Sequence, residues 1–92
     1  MIKSFKDKEA SKIFDGLYSK QYGNLQKIIK RKLDMLHYAH NEQDLTVPPA
    51  NRFEYLKGNL SGYCSIRIND QFRIVFKFDN GSAYDVQITD YH

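Results

Sequence analysis

Arg67 and Arg73 stand symmetrically about Asn69-Asp70-Gln71 in the stretch SIRINDQFRIVF, residues 65–76. If the three polar residues form a hairpin loop, Ile68 pairs with Phe72, Arg67 with Arg73 and Ile66 with Ile74. The two guanidiniums are then direct cross-strand neighbours. Like charges placed opposite one another cost roughly 0.2–1 kcal/mol unless an anion lies near them. One candidate for that anion is a carboxylate of the chain itself: Asp85, Asp90 or Glu54. The other is a bound phosphate, to which two guanidiniums offer bidentate donors while stabilising the extra negative charge of a pentacoordinate phosphoryl transition state.

Two other stretches carry side chains that suit such chemistry. FEYLKG places Glu54 and Lys57 at a strand end and turn, and the chain closes on DYH, which sets Tyr91 and His92 after Asp90 at the end of the last strand. A carboxylate, an ammonium, a phenol and an imidazole converging on one sheet are the ingredients for general acid–base cleavage of RNA by its own 2′-hydroxyl. Each residue alone also has a plainer reading. Lys57 can be a solvated turn lysine, Glu54 a counter-charge and His92 a frayed end.

Other reactive groups offer less. Cys64 is the single cysteine, so no internal disulfide forms, and its place in an alternating strand reads as a packing thiol in a reducing compartment. His37 and His40 lie at i, i+3 on a helix with no third ligand nearby in sequence, and there is no phosphate-binding glycine loop. No apolar run approaches the roughly 18 residues of a membrane span, and the start MIKSFKDK lacks the apolar core of a signal peptide. The expectation is a cytoplasmic protein.

The elements that must position these residues follow from periodicity. Residues 2–5 alternate as a short strand, and residues 7–17 form a helix capped by Ser4 or Asp7, with Ala10, Ile13, Phe14 and Leu17 as its apolar stripe. Over residues 24–40, Leu25, Ile28, Ile29, Leu33 and Leu36 recur at helical spacing, which predicts an amphipathic helix. Residues 41–51 hold both prolines and read as a loop. Beyond it the period becomes two, giving strands over 52–58, 62–68, 72–78 and 83–89 joined by short polar turns. The chain therefore reads as an α+β domain over residues 1–92, an N-terminal strand and two helices packed on an antiparallel sheet of four further strands. Strand parity sends Ile66, Ile68, Phe72, Ile74, Phe76 and Phe78 to the helix-covered core. Ser65, Arg67, Arg73, Val75 and Lys77 line the opposite face.

The 92-residue chain has room for one core, and with thirteen Tyr and Phe that core is aromatic-rich. Net charge is +3, and the excess lies in residues 1–46, with nine Lys/Arg against six Asp/Glu. KIIKRK holds Lys27, Lys30, Arg31 and Lys32, a patch suited to a polyanion such as RNA or an acidic protein, or else a solvated helix face. Lys77 adds a cation on the arginine-bearing face.

MIKSF, PPANRFEYLKG, GYCSIRINDQFRIVF and DVQITDYH together resemble the HigB toxins of bacterial type II toxin–antitoxin systems, within the RelE-like ribonuclease superfamily. The likeness runs over essentially the whole chain. It implies a compact microbial-ribonuclease-like fold and a toxin that enters the ribosomal A site and cleaves the mRNA there. The 2′-hydroxyl attacks the adjacent phosphate, with neither metal nor organic cofactor. It implies as partner a HigA-type helix-turn-helix antitoxin, through which alone the pair contacts operator DNA. By position, Lys57 and Arg73 match residues that contact phosphate and stabilise the transition state, with Arg67 a second such arginine, and Tyr91 and His92 match the C-terminal pair. Many relatives have histidine where this chain has Glu54, which leaves Glu54 either the general base or a neutralising partner, with His92 the other acid–base candidate. A second reading is an RNA-binding relative with little or no catalysis, acting mainly as co-repressor with its antitoxin.

Overall fold

The computed structural model describes residues 1–90. Helix α1 spans Lys8–Phe14 and begins at Asp7, whose Oδ1 accepts from the backbone N–H of Glu9 and Ala10. The other oxygen, Oδ2, accepts from Ile88 N at 3.1 Å, so one carboxylate caps the helix and fastens it to the last strand. Ser4 is not the cap; its Oγ accepts from Asp85 N instead. The helix stops three residues short of the sequence expectation because Gly16, at φ 83°, closes a left-handed turn. Gly16 N donates to Ile13 O and Leu17 N to Lys12 O, the paired bonds of a Schellman end. Leu17 therefore leaves the apolar stripe and is 55% exposed.

Helix α2, Gln26–Tyr38, buries Ile29, Leu33 and Leu36, as the spacing predicts. After it come two 3-10 turns, Glu42–Thr46 and Pro49–Asn51, inside the stretch read as a loop. Strands β1 (Glu54–Tyr55), β2 (Cys64–Arg67), β3 (Phe72–Asp79) and β4 (Ser82–Asp90) form an antiparallel sheet in that order among the described residues. Both helices lie against β4, and the core between helices and sheet holds Ala10, Ile13, Leu33, Ile66, Ile74, Phe76 and Val86, all fully buried.

The N-terminal segment is less of a strand than its alternation suggests. It runs parallel to β4 through isolated bridges at Ile2–Ala83 and Phe5–Val86. Lys3 N reaches Ala83 O and Lys6 N reaches Val86 O, but between these contacts Asp85 takes φ 54° and shifts the register. The bulge breaks a continuous ladder while the segment still covers the outer edge of β4.

Candidate active site

The loop between β2 and β3 is the expected three-residue turn. Asn69 Oδ1 accepts from both Gln71 N and Phe72 N, and Ile68 N donates to Phe72 O. With that register fixed, Arg67 lies opposite Arg73, Ile66 opposite Ile74 and Ser65 opposite Val75. Paired residues share a face, so Arg67, Arg73, Ser65 and Val75 all project away from the helices. Glu54 pairs with Ser65 and joins the same face from β1, where it is exposed. Lys57 follows, exposed, at the start of a 3-10 turn over Gly58–Leu60.

That face is not open throughout. Ser65 and Val75 are fully buried, and Arg73 is only 7% exposed. The arginine is oriented by the protein: its Nε donates to Ser65 Oγ at 2.8 Å, and its Nη2 donates to the backbone carbonyl of Arg52. Arg67 is partly exposed, and its Nη2 meets Asp70 Oδ1 at 2.5 Å. For Arg67, among the described residues, the expected counter-charges are replaced. Asp85 faces Lys77 at 3.9 Å, Asp90 accepts from Gln71, and the turn's own Asp70, three residues from Arg67, supplies the carboxylate. Asp70 is fully solvent-exposed at its side chain, so this pair is a weak, solvent-screened contact.

Arg52, Arg67, Asn69, Asp70 and Arg73 line one depression of about 240 Å³ on this face. Arg52 was absent from the sequence-derived site. Its guanidinium enters from a non-strand residue at φ 45°, ψ 54°, just after the Pro49–Asn51 turn, and no periodic pattern signals such a position. The only cue was its placement directly after a proline-rich loop.

The turn before Arg52 is held from α2. Asn51 is fully buried, its Oδ1 accepts from Lys32 Nζ, and its Nδ2 donates to Leu45 O at 3.1 Å. Lys32 is thus not one of the exposed cations. It lies three residues after Ile29 and four before Leu36, on the apolar stripe, and is only 6% exposed. Burial lowers its pKa, with smaller contributions from Arg31 and Arg67.

The rest of the basic patch divides. Lys27 and Arg31 are exposed. Lys30 pairs with Asp34 at 2.6 Å and lies over the Phe14 ring, while Lys77 lies over Tyr63 as well as near Asp85. His37 Nδ1 accepts from Ile2 N, which ties the N-terminal segment to α2. Cys64 is buried and its thiol is pushed up to about 11, first by burial and then by Glu42. Tyr91 and His92 lie outside the described residues.

Residues 3–92 match the family model described as the RelE-like toxin of type II toxin–antitoxin system HigB. The chain belongs to the HigB-like toxins. Toxin HigB-1 of Vibrio cholerae serotype O1 is 39% identical over 90 residues, covering 96% of this chain and 95% of the relative. Endoribonuclease HigB of Proteus vulgaris is 36% identical over 97 residues and covers both chains fully. Among solved structures, the YoeB–YefM toxin–antitoxin heterotetramer of Staphylococcus aureus superposes with a TM-score of 0.64 at 26% identity, covering 100% of this chain and 95% of that one. A YafQ mutant from E. coli, at 12% identity, shares the fold with a TM-score of 0.65 over 98% of this chain and 91% of its own. The α+β arrangement of two helices on a four-stranded antiparallel sheet is therefore that of the RelE-like toxins.

Proposed function

We propose that this HigB-like toxin is an endoribonuclease that cuts translated mRNA in the ribosomal A site, with residues 1–92 acting as one toxin domain in the cytoplasm. The observation that carries the reading is the depression that, among the described residues, Arg52, Arg67 and Arg73 line together with Asn69 and Asp70. Three guanidiniums around one small volume suit a phosphate, and Arg73 is already oriented before any ligand arrives. The relative named as an endoribonuclease is similar over its full length, which supports the same class of reaction here.

In this mechanism a base takes the proton of the 2′-hydroxyl, the oxygen attacks the adjacent phosphorus, and the 5′-oxygen leaves with a proton from an acid. The products are a 2′,3′-cyclic phosphate and a 5′-hydroxyl. Arg67 and Arg73 bear the charge of the phosphorane, with Lys57 beside them. Glu54 shares their face and is one candidate base; His92 is the other, with His92 or Tyr91 assisting the leaving oxygen. No metal or organic cofactor is assigned a role. Lys27, Lys30 and Arg31 make the ribosome-facing surface, and Lys77 extends the cationic face. The partner is a HigA-type helix-turn-helix antitoxin through which the pair reaches operator DNA; solved relatives crystallised as toxin–antitoxin complexes support an antitoxin partner.

The test is induced expression with mapping of mRNA 5′ ends. Wild type is expected to cut translated messages, and Arg67→Ala, which removes a partly exposed arginine, is expected to abolish cutting while the protein stays folded. Glu54→Gln and His92→Gln then separate the two candidate bases. Intact translated mRNA with wild type would leave only the non-catalytic RNA-binding reading.

A further inference from the structure

We propose that the side-chain amide of Asn69 donates a hydrogen bond, through Nδ2, to a non-bridging oxygen of the phosphate bound in the depression. The proposal rests on the ribonuclease reading above and adds to its site a neutral donor drawn from the turn itself.

The turn decides which way the amide faces. Asn69 Oδ1 accepts from Gln71 N at 2.9 Å and from Phe72 N at 2.7 Å, while Asn69 N donates to Phe72 O at 3.3 Å. The two ends of an amide are told apart by their partners, and two backbone N–H groups can meet only its oxygen. Backbone and side chain are thus both fastened, and Nδ2 is the end that the turn does not use. An aspartate would hold the turn equally well; what it lacks is the donor.

Nδ2 has no partner among the described residues. Asn69 is partly buried, and among the described residues no buried side-chain nitrogen or oxygen lacks a hydrogen bond, so the unpartnered Nδ2 is accessible to a ligand. The same residue lines the depression with Arg52, Arg67, Asp70 and Arg73. At about 240 Å³ that depression is smaller than the roughly 300–1,000 Å³ of a small-molecule pocket, so a phosphate seated in it meets all of its walls. A hydrogen bond to an ionised oxygen is roughly twice as strong as one between neutral groups, and an amide already held in place loses little side-chain freedom in making it.

The test uses the isolated toxin and an uncleavable 2′-O-methyl dinucleotide with one internucleotide phosphate and no terminal ones, titrated by NMR. In wild type the Asn69 Nδ2–H signals are expected to move on binding. Asn69→Ser, whose hydroxyl still accepts from one backbone N–H, is expected to weaken binding about tenfold, the worth of one hydrogen bond to a charged group. The factor should be the same whichever base stands on either side of the phosphate. Because the lost donor is neutral, the slope of log affinity against log salt should stay that of wild type. Asn69→Asp keeps both acceptors of the turn, and so its thermal midpoint, but puts a charge where the donor was; binding should fall further and the slope flatten by roughly 0.7. Amide signals that stay in place, or a serine variant that binds like wild type, overturn the assignment of Asn69 and leave the ribonuclease reading standing. A loss confined to one base also overturns it, because that marks a contact to a base edge. If Arg67→Gln binds like wild type as well, the depression is not the phosphate site and both readings fall.

Discussion

Replacing Asn51 with alanine is expected to destabilise the fold by about 3–5 kcal/mol, far more than replacing Lys32 with methionine. Asn51 is fully buried, and its truncation strands three groups at once: the Lys32 ammonium, Leu45 O at 3.1 Å and Val47 O at 3.4 Å. A buried hydrogen bond to a charged group contributes about 1.5–3 kcal/mol, and a neutral one about 0.5–1.5. Lys32→Met removes the ammonium together with its desolvation cost and leaves only Asn51 Oδ1 without its partner, a loss of about 1–2 kcal/mol. For a chain of this size each kcal/mol moves the thermal midpoint by about 4–8 °C, so the variants are readily told apart by urea and thermal unfolding. The pH dependence gives a second readout. Burial, then Arg31 and Arg67, lower the Lys32 pKa below its ordinary 10.5, so near and above the folded value the unfolded chain holds more protons. Stability contributed by this group is therefore lowest at neutral pH, rises as pH climbs through the folded pKa, and levels off above 10.5. Cys64 and Tyr22, whose pKa values burial raises, act in the opposite sense over the alkaline range and cancel when wild type is compared with Lys32→Met. The stability of wild type relative to Lys32→Met should accordingly rise with pH. Equal losses for Asn51→Ala and Lys32→Met, or a pH-independent difference, would refute the claim that Lys32 is a desolvated cation kept in place by one amide.

Two shorter predictions concern parts outside the site. Cys64, buried and with its thiol pushed up to about 11, should resist a disulfide reagent at pH 8 in the native protein and react at once in denaturant; rapid labelling of the folded chain would contradict the burial. Asp7→Ala should cost about 2–3 kcal/mol in urea unfolding, since it removes both the cap of α1 and the acceptor for Ile88 N. Asp7→Asn should recover part of that, because its amide oxygen can still cap.

The opposition of Arg67 and Arg73 was readable because a three-residue polar turn fixes register and a period of two fixes the face; neither depends on the rest of the chain. The leucine and isoleucine stripe of α2 was readable for the same local reason. Lys32 shows where charge misleads. Residue type assigns it to solvent, but its spacing from Ile29 and Leu36 assigns it to the buried stripe, and Asn51, nineteen residues away, makes that burial possible. The end of α1 carried its cue in Gly16, yet Leu17 fitted the helical stripe well enough to hide it.

Sequence by itself determined the α+β order of elements, the arginine pair and the family, since each is written in short-range spacing or in motifs spread along the chain. Tertiary structure decided which charges are available. It paired Arg67 with Asp70, oriented Arg73 on Ser65 and the Arg52 carbonyl, buried Lys32 against Asn51 and brought Arg52 to the depression. These outcomes depend on contacts between a helix, a loop and a sheet that lie far apart in sequence. A charged side chain's surroundings are set by what the folded chain packs beside it, and no local pattern encodes that neighbour.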